Sequence, residues 1–366
     1  MANILSDELL QVETNRLNRE PDVVYFKTIA PKSRGAIAAH DPVCLYLEVT
    51  NQCNLACKTC PITYGKVEEP AALSLAQVQF LVSQFQTVTQ VVLHGIGEPL
   101  LNRELSEIIR WLKGKGIYVL FNTNGTLINK RWRQALVQSG LDEIRLSLDA
   151  ATPETFAHVR GKPMFDVIMR NIKALMALKV ERGSALPLVS LWLTGLRETL
   201  NELPDFIRLA HSLGIDRVYL QRLVYWEGAN ADQIARPEQS LFNSLQGEEE
   251  RILESAEKLA RRLGVRFEAS GATTPAQSLS KNGREQPWSA CMRPWTLMYI
   301  TARGSAFPCC IAPFSTKNLS HLSLGNAFSQ NLASIWNGGR YQEFRRRVLS
   351  ADPPECCKGC GACWSL

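Results

Sequence analysis

Three cysteines stand close together in the segment Cys53-Asn54-Leu55-Ala56-Cys57-Lys58-Thr59-Cys60, spaced Cys-x-x-x-Cys-x-x-Cys. Random placement of cysteines at this chain's frequency gives such a run with probability roughly 0.01. Three thiolates on one short loop can hold three irons of a cubane 4Fe-4S cluster and leave the fourth iron open, and an open iron is a reactive site. Zinc is the competing chemistry, but it wants four ligands in tetrahedral geometry, and no histidine lies within ten residues of the triplet. A second group of cysteines crowds the C-terminal end: Cys291, Cys309, Cys310, Cys356, Cys357, Cys360 and Cys363. The remaining one, Cys44, sits in an apolar run and reads as a small buried hydrophobe.

The elements that must carry these loops are legible as β-rich runs at Cys44–Thr50, Gln90–His94, Ile117–Asn122, Glu143–Asp149, Leu188–Thr194 and Arg217–Arg222. Helical periodicity alternates with them: Val78, Leu81, Val82 and Phe85 share one face of a helix, as do Leu105, Ile108, Ile109 and Leu112. Ser74 with Gln77 reads as a capping box, Asn102 precedes the second helix, and Thr152-Pro153 opens a third. Strands alternating with helices demand parallel pairing with right-handed crossovers, and six units fall short of a closed eight-fold barrel. The expected fold is therefore α/β, an open (β/α)6 partial barrel over 43–225. It follows an N-terminal extension, 1–42, and leads through a helical connecting region, 226–287, into a separate small cysteine-rich module, 288–366. The triplet directly follows the first strand, which places it at the C-terminal end of the strands, where parallel α/β folds keep their chemistry.

Length and composition narrow the class. A chain of 366 residues with 45% hydrophobic content can bury a full core. Its net charge of +6 is spread along the whole length without a basic block, which argues against nucleic acid as a partner. The opening residues do not resemble a signal peptide and no stretch is apolar enough to span a membrane, so a cytoplasmic protein without a membrane partner is expected. In a reducing compartment, eleven cysteines are better explained by metal clusters than by disulfides.

The triplet, and its position after a first strand, resemble the radical S-adenosylmethionine (SAM) superfamily, and the resemblance runs from Cys44 onward. It implies a SAM-binding 4Fe-4S cluster held by Cys53, Cys57 and Cys60, whose open iron takes the amino and carboxylate groups of SAM. An electron then yields a 5′-deoxyadenosyl radical that abstracts hydrogen from a substrate. Thr59 departs from the aromatic or apolar residue usual before the last cysteine. His94-Gly95-Ile96-Gly97-Glu98-Pro99 looks like the family's glycine-rich acidic turn, with Gly95 and Gly97 admitting the cofactor and Glu98 facing the amino group of SAM. The inserted Ile96 leaves open which glycine holds the family position. Asn122, Ser147 and Arg160 resemble family residues that line the SAM pocket, Ser147 and Arg160 suiting the methionyl carboxylate, with Gln221 a weaker candidate. His94 reads as a satisfied turn histidine, and no general base is identified.

In the tail, Cys291, twelve residues, Gly304, four residues and Cys309, followed by Cys357-x-x-Cys360 before Trp364, resemble the auxiliary-cluster module SPASM or its shorter relative, the twitch domain. The resemblance implies one auxiliary 4Fe-4S cluster on Cys291, Cys309, Cys357 and Cys360, with Cys310, Cys356 and Cys363 able to substitute. A zinc ribbon is the alternative for this set. The implied protein is an enzyme served by an electron donor such as a flavodoxin or ferredoxin. About 40 residues before Cys44 are too few for an added peptide-recognition domain, which favours a small-molecule substrate over a peptide. Peptide modification is the rival activity, and a non-catalytic iron-sulfur or zinc-binding protein is the rival class.

Overall fold

Each run of alternating apolar residues becomes a strand with one face under helices and the other toward a barrel interior. The computed structural model describes residues 34–65, 68–223, 225, 234–242, 245–270, 274–279, 285–314, 319–358 and 360. In chain order the site-bearing elements are β1 (Cys44–Leu47), α1 (Leu75–Ser83), β2 (Gln90–Val92), α2 (Leu105–Gly114), β3 (Tyr118–Thr123), α3 (Lys130–Gln138) and β4 (Glu143–Ser147). Then come α4 (Pro153–Arg160), α5 (Phe165–Glu181), β5 (Leu188–Gly195), α6 (Leu203–Ser212), β6 (Arg217–Arg222), α7 (Gly247–Leu263) and β7 (Arg266–Ala269). The C-terminal part adds β8 (Leu297–Ile300), β9 (Ser305–Phe307), β10 (Gly325–Asn326) and α8 (Gly339–Val348).

One sheet holds all ten strands in the order β10-β9-β8-β1-β2-β3-β4-β5-β6-β7. Every pair from β8 through β7 is parallel, while β9 and β10 pair antiparallel at one edge. The sheet stays open, as a partial barrel. Four of its strands lie outside the expected six: β9 and β10 at the antiparallel edge, and β7 and β8 in the parallel part. β7 falls in the stretch read as a helical connector, and β8, in the cysteine-rich region, pairs with β1 along its whole length. Both are four residues long, too short for periodicity to declare them.

Leu45, Leu47, Val91, Val119, Phe121, Ile144, Leu191 and Val218 pack into the main core with buried residues of the helices. On the opposite face Cys44, Val92, Leu120 and Leu297 form a small cluster that closes the N-terminal end of the interior, with Tyr46, Tyr118 and Cys309 against it. The capping box at Ser74 and Gln77 forms with both reciprocal bonds, and Thr152 caps α4 with Pro153 in the first turn. Asn102 does two things. Its Oδ1 accepts from the Glu104 N–H (2.8 Å) just ahead of α2, which starts at Leu105, and its side-chain NH2 donates to the carbonyls of Val49 and Leu73, both at 2.8 Å, bracing the turn after β2 against the end of β1.

Glu48, just past β1 and 2% exposed, ties three parts of the sheet together. Its carboxylate accepts from the Ile96 amide (3.1 Å), the Tyr299 hydroxyl of β8 (2.7 Å) and the Ala302 amide (3.2 Å). Burial raises its pKa above the ordinary 4.5, against the three hydrogen bonds that favour the carboxylate. A folded value above the unfolded one means that the native chain binds this proton more tightly. The associated stability is fully present below pH 4.5 and is lost as pH rises through the folded value. In Glu48→Gln the new NH2 group meets a backbone N–H. We expect a loss of about 1–3 kcal/mol near pH 4.5 that narrows toward higher pH, read from urea midpoints of the two proteins across that range.

Candidate functional site

The cysteine triplet lies on the loop after β1, and neighbouring elements pin that loop from several sides. Lys58 N–H donates to the Val159 carbonyl (3.0 Å), Lys162 Nζ to the Asn54 carbonyl (2.7 Å), and Asn54 Nδ2 to Thr126 Oγ1 (2.7 Å). Gly161, with φ +76°, turns directly against the loop: a Cβ there would stand 2.3 Å from the Ala56 carbonyl oxygen. Donors also reach the sulfurs, namely Leu55 N–H and Asn124 Nδ2 to Cys53 (3.5 and 3.8 Å) and Arg160 Nη1 to Cys57 (3.6 Å). Burial, with the neighbouring Cys57 and Cys53, pushes the Cys60 thiol up to about 12, so the thiols share one electrostatic neighbourhood. Burial likewise raises Cys53, with Glu98 and Cys57 adding to it.

This donor set suits a cluster. Among the described residues no three Cys, His, Asp or Glu side chains converge tightly enough for a single metal ion. The triplet has thiols in mutual range, N–H donors on two sulfurs, and a buried Arg160 Nε that has no partner. Cys53 and Cys60, held above the ordinary thiol value, become ligands when iron displaces their protons.

The turn after β2 explains both of its glycines. A Cβ on Gly95 would lie 2.3 Å from Glu48 Cγ, and one on Gly97 would lie 2.1 Å from the Thr50 carbonyl oxygen. Both positions require glycine, and Ile96 between them sends its carbonyl toward Cys60 Sγ (3.9 Å). Glu98 is 2% exposed and accepts from Thr123 Oγ1 (2.7 Å), Asn124 N–H (2.8 Å) and Leu100 N–H (3.1 Å). Burial raises its pKa against those bonds. Its carboxylate thus clamps the turn to the end of β3 and caps the short helical turn Pro99–Leu101, which leaves one of about four acceptor positions uncommitted.

Arg160, at the end of α4, forms an ion pair with Asp149 (2.7 Å) and reaches Cys57. Burial alone would lower its pKa; Asp149 and Cys57 outweigh that and hold it above the ordinary arginine value. Asp149 takes the left-handed φ of +64° and accepts from Thr194 N–H (2.7 Å), so a continuous chain of contacts links the cluster loop to the end of β5. The sequence pattern offered Asp149 only as a neighbour of Ser147. The parallel register sets Asn122 beside Arg145 and Ser147 beside Trp192, on the interior face of the C-terminal half of the strands, with Gln221 beside Thr194.

Below that rim is a polar interior the sequence reading passed over. Arg145 meets Glu143 through two nitrogens (2.9 and 3.2 Å) and lies over the Trp192 ring, which stacks on Tyr219 at 4.0 Å. The signal for it was the alternation in Glu143-Ile144-Arg145-Leu146-Ser147, whose polar members share one face.

In the tail, Cys309 and Cys310 follow β9, and Cys356 and Cys357 occupy a helical turn, with sulfurs 3.9 Å apart. Burial, then Cys310, raises the Cys309 thiol, with Cys356 and Cys360 contributing. Arg293 donates to Cys310 Sγ (3.9 Å); its charge, opposed by burial, is held by Cys310, Tyr46, Cys309 and Cys291. The four expected auxiliary ligands thus share this neighbourhood with Cys310 and Cys356, while Cys363 lies outside the described residues.

Residues 47–210 match the Radical SAM superfamily, and residues 291–364 match SPASM, an iron-sulfur cluster-binding domain. The chain therefore carries a radical SAM domain followed by a C-terminal SPASM domain, a pairing that implies SAM, a 4Fe-4S cluster and auxiliary iron-sulfur clusters as cofactors. It is similar to the PqqA peptide cyclase of Xanthomonas campestris pv. campestris (strain 8004), 26% identical over 326 residues, 87% of this chain and 79% of that one. It is also similar to the mycofactocin maturase MftC of Mycobacterium ulcerans, 32% identical over 174 residues, 47% of this chain. The chain spans only 45% of that maturase's length. The structure of Streptococcus suis SuiB bound to precursor peptide SuiA shares the fold, with a TM-score of 0.62 at 15% identity, covering 84% of this chain and 67% of that one.

These relatives overturn the expected preference for a small-molecule substrate, since one is named for its peptide and another is seen with a precursor peptide. No helix among the described residues is long and apolar enough to cross a membrane.

Glu98→Gln tests the clamp: its NH2 group would face one of three donors, and we expect a loss of about 1–3 kcal/mol, measured as a lower urea midpoint at unchanged slope.

Proposed function

We propose that this chain is a radical SAM peptide maturase. The observation that carries the proposal is the alignment with the PqqA peptide cyclase across 87% of the chain, from the barrel into the cysteine-rich tail. Cys53, Cys57 and Cys60 are assigned to the SAM-binding cluster; the loop contacts and sulfur donors above support the assignment. When bound, the reduced cluster supplies the electron that cleaves SAM to a 5′-deoxyadenosyl radical.

The chain's own residues do the rest. Gly95 and Gly97 keep the turn after β2 flush against the cluster loop, and Glu98 fixes that turn to β3 while keeping an acceptor position for the amino group of SAM. Arg160, anchored by Asp149, and Ser147 offer donors to the methionyl carboxylate, with Asn122 at the polar edge of the cofactor. Cys291, Cys309, Cys357 and Cys360 are assigned to the auxiliary cluster, in which Arg293 offsets thiolate charge. A flavodoxin or ferredoxin would deliver the electron.

Anaerobic reconstitution should load about eight irons per chain, as two 4Fe-4S clusters require. The Cys53→Ala, Cys57→Ala, Cys60→Ala variant should keep about half of them and form no 5′-deoxyadenosine. About four irons in the wild type would remove the auxiliary cluster, and about twelve would call for a further cluster beyond these two. Deoxyadenosine formation that no peptide stimulates would count against a peptide substrate.

A further inference from the structure

His94 follows β2 directly and falls on the interior face, two residues beyond Val92 of the closing cluster. The register Val92↔Leu120, Asn122↔Arg145 and Arg145↔Ser190 sets it in one row with Asn122, Arg145 and Ser190 across β2, β3, β4 and β5. One step nearer the rim stand Ser147, Trp192 and Tyr219, and one step deeper lies the layer that Tyr46 and Cys309 close from the tail. The row thus lies between the two groups of cysteines. Its charge is internally balanced, because Arg145 is met by Glu143 and covered by Trp192. Burial, with the Arg145 charge, lowers the His94 pKa to about 4, so the ring is neutral near pH 7. Its Nδ1 is buried and has no hydrogen-bond partner. The backbone just beyond it is tied down, since Ile96 N–H donates to the Glu48 carboxylate (3.1 Å).

A neutral row of donors and acceptors with one unmatched ring nitrogen fits an uncharged hydrogen-bonding group and offers no counter-charge to a carboxylate or an ammonium. We propose that His94 positions the substrate in the barrel by exchanging a hydrogen bond with a backbone amide of the bound peptide. This rests on the peptide reading above.

The test compares reconstituted wild type, His94→Leu and His94→Gln, each with SAM, reductant and a pool of short synthetic peptides. It reads the ratio of peptide-dependent to peptide-free deoxyadenosine formation, KM and kcat for the most active peptide, and Tm. In His94→Leu the ratio should fall about tenfold, mainly through KM. His94→Gln, which can still exchange a hydrogen bond, should recover most of the loss. The Tm of His94→Leu should not fall, since leucine removes an unmatched buried nitrogen. A leucine variant that matches wild type, that loses peptide-free cleavage in the same proportion, or that melts well below wild type overturns the role of His94 alone. A wild type that cleaves SAM but responds to no peptide overturns the peptide reading and, with it, this use of His94.

Discussion

A single buried carboxylate holds the two halves of the molecule in register. Glu48 stands where β1 ends, and its oxygens reach the turn after β2 on one side and β8 with the following turn on the other. Its side chain also fills the space a Cβ at position 95 would need, which makes the glycine there obligatory. The loop with three cysteines, the glycine turn and the strand that introduces the tail are thus referenced to one side chain. Burying a carboxylate is costly unless its lone pairs are met; three donors meet them, and the arrangement fails if any of the three segments shifts.

The cluster loop is held by a second, more polar line of contacts. From Cys57 the line passes through Arg160 to Asp149 and on to Thr194, so the ends of β4 and β5 are tied to the cysteine loop. An arginine in this place does two things at once. It gives the loop a rigid neighbour, and it brings positive charge to a group of thiols that become anionic only as ligands. Arg293 repeats the pattern in the tail beside Cys310. Both guanidinium groups leave a buried Nε unmatched, which suits surroundings completed by a negatively charged group.

Much of this was readable in the sequence because it rests on local chemistry. The triplet declares itself by spacing, the six strands by apolar runs, and the helix starts at Ser74 and Thr152 by their caps. What escaped depends on contacts between distant residues. Asn102 accepts from Glu104 N–H at the approach to α2, as its place before the helix suggests, but it also spends its NH2 on Val49 and Leu73, and nothing local marks that use. Glu48 is one acid in a strand-like run until Tyr299 arrives 251 residues later. β7 and β8 have four residues each, too few to carry a period. The glycine pair at 95 and 97 was visible, yet the reason both must be glycine appears only when Glu48 and Thr50 fill the space beside them.

The pairing of β8 with β1 also sets a clock. The Glu48–Tyr299 contact spans 251 residues, and a ribosome adding about 5–20 residues per second needs roughly 12–50 s to bridge that separation. Throughout that interval β1 has one hydrogen-bonding edge open, Glu48 lacks two of its three donors, and the cysteine loop is already outside the ribosome with its frame unfinished. Closing so long a loop is entropically slow. The nascent chain therefore presents its first three thiols well before the fold that shelters them can form, and thiols exposed for that long are open to oxidation before the frame closes over them.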